Sequence, residues 1–228
     1  MQITKTKYST YFFREHHNMD QEENTFSAFI PEGRKGFWIL TEDTEKKENV
    51  AKIAVMAVAE AYFSNNSLSE DNMTHLLNVA NKEIIESKIK RNMDYYSKFS
   101  TSIVAAEDDK MIVGNIGNSK VKIFRDNKLI EEIEGDTIVS LDLKKYDYIL
   151  SGTAEFWEIV NENEILDMFI RNSSRFSFES ELSQKVNSIE VQRKIEIPFL
   201  SIFIENLEKE EKEEEEEYTV TTVMERAN

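Results

Sequence analysis

Five short segments between residues 102 and 151 alternate apolar and polar side chains with a period of two, which predicts consecutive strands. The predicted strands are Ser102–Ala106, Met111–Asn115, Val121–Arg125, Ile138–Leu143 and Tyr148–Ser151. Acidic or Asn-containing turns at 107–110 and 126–128 separate some of them, which favours antiparallel neighbours. A chain with so many successive strands has to cover their apolar faces with further layers.

The segment before these strands changes period. Thr25–Ile30 and Phe37–Leu40 are predicted strands, joined by a turn that contains Pro and Gly. Lys46–Phe63 then places its apolar residues at helical spacing. A second helix is predicted to start at Ser67, because Ser67 and Glu70 have the spacing of a capping box.

The segment after the strands is mostly helical. Asn161 and Glu164 repeat the capping spacing before one helix, a further helix is predicted over Glu179–Val191, and Phe199–Ile204 is a final strand. Runs of antiparallel strands with segregated helices indicate the α+β class. We expect four layers, with two packed, mostly antiparallel sheets flanked by helix pairs.

The composition and net charge argue against several classes of function. The 228 residues are 40% hydrophobic, which suits one large domain or two small ones with a buried core. The net charge of −16 disfavours nucleic-acid binding, and the absence of Cys excludes disulfides, thiolate zinc sites and Cys nucleophiles. Neither a secretory signal nor a stretch long enough to cross a bilayer is visible, so we expect a cytoplasmic protein that does not bind membranes.

The C-terminal segment differs from the rest. Glu208–Glu217 contains eight Glu and two Lys, a net charge of −6, and cannot bury apolar area. We expect a domain over residues 1–207, followed by a flexible or helical acidic tail over 208–228. Tyr218–Val223 is β-prone and could instead pair with a sheet edge.

Several segments together resemble PP2C-type (PPM) protein serine/threonine phosphatases. Ser100–Ala106, Met111–Lys120 and Ile123–Leu129 resemble that family's G-T-T-like strand, its N-V-G-D-S-R and its Y-R-D-G-K-L. Tyr146–Val160 is similar to G-D-x-L-L-L-A-S-D-G-L-W-D-V. The shorter matches are Asn18–Asp20 to N-E-D, Phe37–Asp43 to F-V-V-A-D-G and Pro198–Ile204 to D-N-I-T-V-I-V-V. The resemblance covers about residues 10–206 and implies the same four-layer fold.

The resemblance also implies a chemistry. In this family, carboxylates at the sheet ends hold two divalent ions, Mn²⁺ or Mg²⁺, which generate a hydroxide that attacks a phosphoserine or phosphothreonine. Asp20 matches the N-E-D aspartate, and Glu42 matches the aspartate that bridges the two metals. Asp43 replaces the following glycine, where its side chain would crowd the site.

Two of the four carboxylate positions are lost. Ala154 replaces the aspartate of S-D-G, and Ile197 falls at the aspartate of D-N, so neither position can bind a metal. Arg14 lies near the position of the family's phosphate-binding arginine, one residue out of register. The long insertion that carries the family's flap is also missing between Leu129 and Asp147. Asp20, Glu42 and Asp43, with Glu155, could still form one weak cation site, or they could be vestigial.

These matches predict a catalytically impaired pseudophosphatase that acts as a binding or regulatory module. The alternatives are a divergent metal-dependent serine/threonine phosphatase and a structural subunit of a larger assembly. We expect no cofactor, with Mn²⁺ or Mg²⁺ as the ion if any site is retained. The expected partner is a protein, such as a phosphoprotein or a component of a kinase pathway.

Overall fold

Ten strands pair into two five-stranded antiparallel sheets in the computed structural model, which describes residues 3–13, 25–32, 35–43, 50–93, 99–195 and 197–210. The first sheet has the strand order β1 (Ile3–Phe13), β10 (Phe199–Glu210), β9 (Tyr148–Gly152), β6 (Lys120–Arg125) and β7 (Lys128–Glu134). The second has the order β2 (Thr25–Glu32), β3 (Lys35–Asp43), β4 (Phe99–Glu107), β5 (Lys110–Ile116) and β8 (Thr137–Asp142).

Five helices in the described ranges cover the outer faces of the sheets. They are α1 (Val50–Ser64), α2 (Glu70–Lys90), α3 (Ala154–Ile159), α4 (Glu162–Arg171) and α5 (Arg175–Arg193). The helices α1 and α2 pack on the second sheet, and α3 to α5 pack on the first. No helix in these ranges is long and apolar enough to cross a bilayer.

Strand alternation divides the core into three apolar layers. Trp38 and Leu40 of β3 lie between the sheets, with Leu200 and Ile202 of β10 opposite them. Phe37 and Ile39 of β3 face α1 and α2 instead. Phe199 and the buried apolar residues of α3 to α5 form the third layer. The expected α+β fold, with two packed antiparallel sheets between helical layers, is confirmed, although three helices rather than a pair cover the first sheet.

Several boundaries differ from the sequence-based predictions. The N-cap of α2 is Ser69, not Ser67, because the Ser69 side chain accepts a hydrogen bond from the backbone N–H of Asn72. The strands β1 and β7 were not predicted. The helix α5 starts at Arg175 with Ser174 as its N-cap, four residues before the predicted start. The capping box of Asn161 and Glu164 is confirmed.

The last strand is longer than predicted. β10 continues through Glu210, where it pairs with Ile3, and Leu207 pairs with Thr6. This ladder satisfies the backbone groups of residues 208–210, so these three residues belong to a strand and not to a solvated tail. The predicted domain boundary after residue 207 therefore falls inside β10, whereas 211–228 lie outside the described residues.

Candidate functional site

Most of the described segments that resemble the phosphatase motifs begin or end at one end of the sandwich. Asp43, the last residue of β3, pairs with Phe99 at the start of β4. In the other sheet, Gly152 at the end of β9 pairs with both Lys120 and Phe199. The turn between β5 and β6 lies at the same end. The topology thus gathers the ends of β3, β5 and β9 and the starts of β6 and β10 around one site.

Glu42 and Asp43 lie on opposite faces of β3. Since Trp38 and Leu40 face the space between the sheets, alternation places Glu42 on that face. Asp43 faces the helical layer, where its Oδ1 atom lies 2.6 Å from Nζ of Lys88 in the last turn of α2. The Asp43 side chain therefore points away from the site between the sheets, and the crowding expected there does not occur.

Ala154 lies at the start of α3, directly after β9. The N-cap of this helix is Thr153, whose side chain accepts a hydrogen bond from the backbone N–H of Phe156. Ala154 is partly exposed at this end and offers no donor atom to a cation. A ligand position of the resembled family is thus occupied by a methyl group.

Ile197 precedes β10 and is fully buried in the apolar layer under α3 to α5. Its backbone N–H donates a hydrogen bond of 2.6 Å to Oε1 of Glu190 in α5. The residue therefore serves as a core anchor for the connection from α5 to β10. A carboxylate at this position would be buried among apolar side chains.

Ser102, Asn115 and Ser119 form a buried hydrogen-bonded cluster beneath the turn between β5 and β6. The Oγ atom of Ser102 lies 2.7 Å from Oδ1 of Asn115 and 2.8 Å from Oγ of Ser119, and the Asn115 amide donates to the Ser119 carbonyl at 2.9 Å. No acidic or basic side chain within the described ranges takes part in these contacts. The cluster fixes the turn, and no residue that the structure describes acts as a base on Ser119 to make it a nucleophile.

Gly117 explains why this turn keeps the glycine of the family motif. Its φ of 82° is in the left-handed region, and a Cβ atom there would lie 2.3 Å from the carbonyl oxygen of Phe99. The next residue, Asn118, takes the place of the motif's aspartate and is exposed.

The described residues do not fit a two-metal centre. Among them, no three His, Cys, Asp or Glu side chains converge closely enough to hold a metal ion. Of the predicted ligands, Glu42 faces the space between the sheets, and Asp43 is paired with Lys88 on the other face. Asp20 and Arg14 lie outside the described residues, so their part in a site remains a prediction.

Lys88 is the residue at this end that sequence reasoning missed. It follows Ile84 by four residues and therefore lies on the same, buried face of α2, but a lysine is ordinarily read as a surface residue. Two sequence features together could have identified it: the four-residue spacing from Ile84, and the opposite charge of Asp43 at the end of a buried strand.

Solved structures share this architecture across most of the chain. A bacterial serine phosphatase matches with 14% identity and a TM-score of 0.64, covering 88% of this chain and 98% of its own. The serine/threonine phosphatase PstP/Ppp of Mycobacterium tuberculosis matches with 10% identity and a TM-score of 0.63, covering 90% and 100%. The phosphatase Stp1 of Staphylococcus aureus matches with 14% identity and a TM-score of 0.65, covering 89% and 96%.

Comparison of the amino-acid sequence gives no such match. No protein-family profile and no curated protein matches the chain. Identities this low establish the architecture and not the activity. The resemblance read from the short motifs is thus confirmed at the level of the fold, and the chain has the fold of PP2C-type serine/threonine phosphatases.

Proposed function

We propose that this PP2C-fold chain is a pseudophosphatase: it is catalytically impaired and acts as a binding or regulatory module for a protein partner. The observation that carries the proposal is Ile197. At a position where the resembled family has a metal-binding aspartate, this chain has an apolar side chain that is fully buried in the core. Ala154, which is partly exposed, removes a second ligand because its methyl group has no atom that could bind a cation.

The charge requirement of a two-metal centre supports the proposal. Two divalent ions close together need several converging carboxylates to offset their charge. Asp43 is already neutralised by Lys88, and Glu42 is the remaining carboxylate of β3 at this end that faces between the sheets. With two ligands missing, each ion would stay largely hydrated and weakly held.

The alternative function is a divergent phosphatase that hydrolyses phosphoserine or phosphothreonine with Mn²⁺ or Mg²⁺. Glu42 favours it, because a carboxylate remains at the position that bridges both metals in the resembled family, and it is only 8% exposed. A divergent phosphatase would require Asp20 and further acidic residues from outside the described ranges to complete its metal site.

Titration calorimetry with Mn²⁺ separates the two functions. The impaired module is expected to show at most one weak site, which Glu42→Gln abolishes. As a matched control, Glu158→Gln changes an exposed acid on α3 and is expected to leave the titration unchanged. Two tight sites in the native chain would contradict the proposal and favour the divergent enzyme.

The proposal also includes the kind of partner and the cellular compartment. A net charge of −16 favours a protein partner with a basic surface over nucleic acid. A phosphoprotein or a component of a kinase pathway in the cytoplasm fits a module with a phosphatase fold and no catalysis of its own.

A further inference from the structure

A cavity of about 330 Å³ opens on the helical side of the first sheet, at the end opposite the candidate site. It lies where β6 ends and β9 begins, and the loop between α4 and α5 closes one side. The lining includes Asp126, Tyr146, Tyr148, Phe169, Phe178 and Phe203. This volume is within the range of protein sites that hold a small ligand or one large side chain.

The walls of the cavity are mainly aromatic. The rings of Phe169 and Phe178 stack with centroids 4.3 Å apart, and Tyr148 meets Phe178 edge-on at 4.8 Å. Tyr146 and Phe203 stack at 6.1 Å on the other side. Such walls offer both ring faces and ring edges, the surfaces that a further aromatic ring contacts best.

The two arginines at the cavity are already committed to carboxylates of the chain. Arg125 donates to both oxygens of Asp147, each at 2.7 Å. Arg175 donates to Glu205 at 2.9 Å, and its guanidinium lies 5.5 Å from the centroid of the Phe203 ring. A ligand anion would have to displace one of these pairs, so the cavity is poorly suited to a phosphate or carboxylate group.

Asp126 leaves a negative charge available at the rim. It sits with Asn127 at the tip of the β6–β7 hairpin, both with positive φ, and its carboxylate accepts no hydrogen bond from any residue in the ranges that the structure covers. The preceding residue, Arg125, is bound to Asp147. A cation on a ligand could therefore pair with Asp126.

Exposed apolar side chains occur at the cavity and next to its lining residues in the chain. Tyr146 at the rim is 60% exposed, Ile170 at the end of α4 is 72% exposed, and Phe176 in the first turn of α5 is 79% exposed. A small molecule confined to the cavity would not cover Ile170 or Phe176, which do not line it. Exposed large apolar side chains beside an aromatic cavity are typical of protein-interaction surfaces, so a protein segment fits this region better.

We propose that this aromatic cavity binds a segment of a partner protein, which inserts one aromatic side chain between the aromatic walls and pairs an adjacent Lys or Arg with Asp126. The net charge of −16 steers such a basic segment towards the chain and adds a salt-dependent contribution to the association rate. The proposal takes the kind of occupant, a protein, from the proposed binding role. It does not depend on the loss of phosphatase chemistry.

A fluorescein-labelled peptide, Gly-Lys-Arg-Phe-Lys-Gly, tests the proposal by fluorescence anisotropy with the full chain. Binding is expected to weaken at least tenfold when the Phe of the peptide is replaced by Ala. It is also expected to weaken at least tenfold when the three basic residues of the peptide are replaced by Glu. Equal binding of the Ala peptide, or no binding of the original peptide, would overturn the proposal.

Variants of the chain locate the binding. Phe203→Ala and Asp126→Asn are each expected to weaken binding by fivefold or more, whereas Phe63→Ala, which changes an exposed aromatic residue on α1, serves as the matched control and leaves it unchanged. Should Phe203→Ala lower the melting temperature strongly, Ser173→Trp offers a second test, because it blocks the mouth from an exposed loop position. Unchanged binding in Ser173→Trp overturns the proposal.

Two further measurements distinguish this inference from a small-molecule site and from the proposed loss of catalysis. If phenethylammonium alone binds as tightly as the peptide, the cavity is a small-molecule site and the inference is wrong. Manganese titrations of the Phe203→Ala and Ser173→Trp variants report on the candidate site at the other end, so failure here and failure of the proposed loss of catalysis give different results.

Discussion

The Nζ atom of Lys88 lies 2.6 Å from Oδ1 of Asp43, and the two side chains are 0% and 1% exposed. The pair joins the last turn of α2 to the end of β3. It therefore fixes the strand end from which Glu42 faces the space between the sheets. An ion pair this deeply buried is a poor source of net stability while intact, but removing one partner leaves an uncompensated buried charge.

We expect Lys88→Met to lower the free energy of unfolding by roughly 3–5 kcal/mol, because Asp43 would stay buried without its cation. The double variant Lys88→Met with Asp43→Asn is expected to recover most of that loss. Urea unfolding of both variants measures the difference. A loss below about 1 kcal/mol in the single variant would mean that water reaches Asp43, contrary to its burial.

Features of the fold whose contacts lie within one short segment could be predicted from the sequence, and features that depend on other parts of the chain could not. The capping box of Asn161 and Glu164 was found because all its atoms come from one short segment. The spacing of Ser67 and Glu70 predicts the wrong N-cap for α2, because that spacing does not show which serine accepts the hydrogen bond from the backbone N–H of Asn72. The strand β7 was missed because it has few apolar residues and lies at a sheet edge.

The candidate site was harder to predict, because its decisive contacts join distant segments. Sequence analysis placed Glu42 and Asp43 at the same site, whereas the structure places them on opposite faces of β3, and the partner of Asp43 is 45 positions away, on a helix. Likewise, the sequence shows that Ile197 cannot bind a metal. Only the packing of α5 against β10 shows that Ile197 is a core residue.

The capping box gives the stability a pH-dependent component. A hydrogen bond from Lys185 lowers the pKa of Glu164, burial opposes this shift, and a hydrogen bond from the Asn161 backbone adds to the lowering. Because the folded pKa lies below the unfolded one, this stabilisation is complete above about pH 4.5 and is lost as the pH falls through the lowered folded pKa.

Glu164 is 38% exposed, so solvent weakens its pair with Lys185, and we expect Glu164→Gln to cost only about 0.3–0.5 kcal/mol at pH 7 and much less near pH 3. Denaturant unfolding at the two pH values measures this. Glu158→Gln changes an exposed acid on the neighbouring helix and is expected to show no such difference between the two pH values. A cost for Glu164→Gln that stays constant down to pH 3 would argue against a role for the ionised carboxylate.

Restoring the lost carboxylates should be tolerated at one position and not at the other. Ala154 is partly exposed at the first residue of α3, so Ala154→Asp is expected to change stability by less than about 1 kcal/mol. Ile197 is fully buried, and Ile197→Asp is expected to cost more than about 3 kcal/mol or to prevent folding. Thermal melts compare them, with Ile197→Val as a control that should cost about 1 kcal/mol. A stable Ile197→Asp would show that this position opens towards solvent.

Truncation tests where the folded domain ends. Since β10 pairs with β1 as far as Glu210, a chain of residues 1–210 is expected to melt within a few degrees of the full chain. A chain of residues 1–207 loses three paired residues and should melt lower than 1–210. If the two truncated chains melt together, the last pairs between β1 and β10 contribute nothing to the fold. If 1–210 melts far below the full chain, residues after 210 belong to the domain.

Phosphatase assays test the loss of catalysis most directly. The native chain is incubated with p-nitrophenyl phosphate and with a phosphothreonine peptide in millimolar Mn²⁺, beside Asp20→Asn and a blank that contains the metal. We predict that the native chain shows no turnover above the blank, because Ala154 and Ile197 cannot hold the ions that the reaction needs. Clear turnover by the native chain that disappears in Asp20→Asn would contradict the account and identify the protein as an active metal-dependent phosphatase.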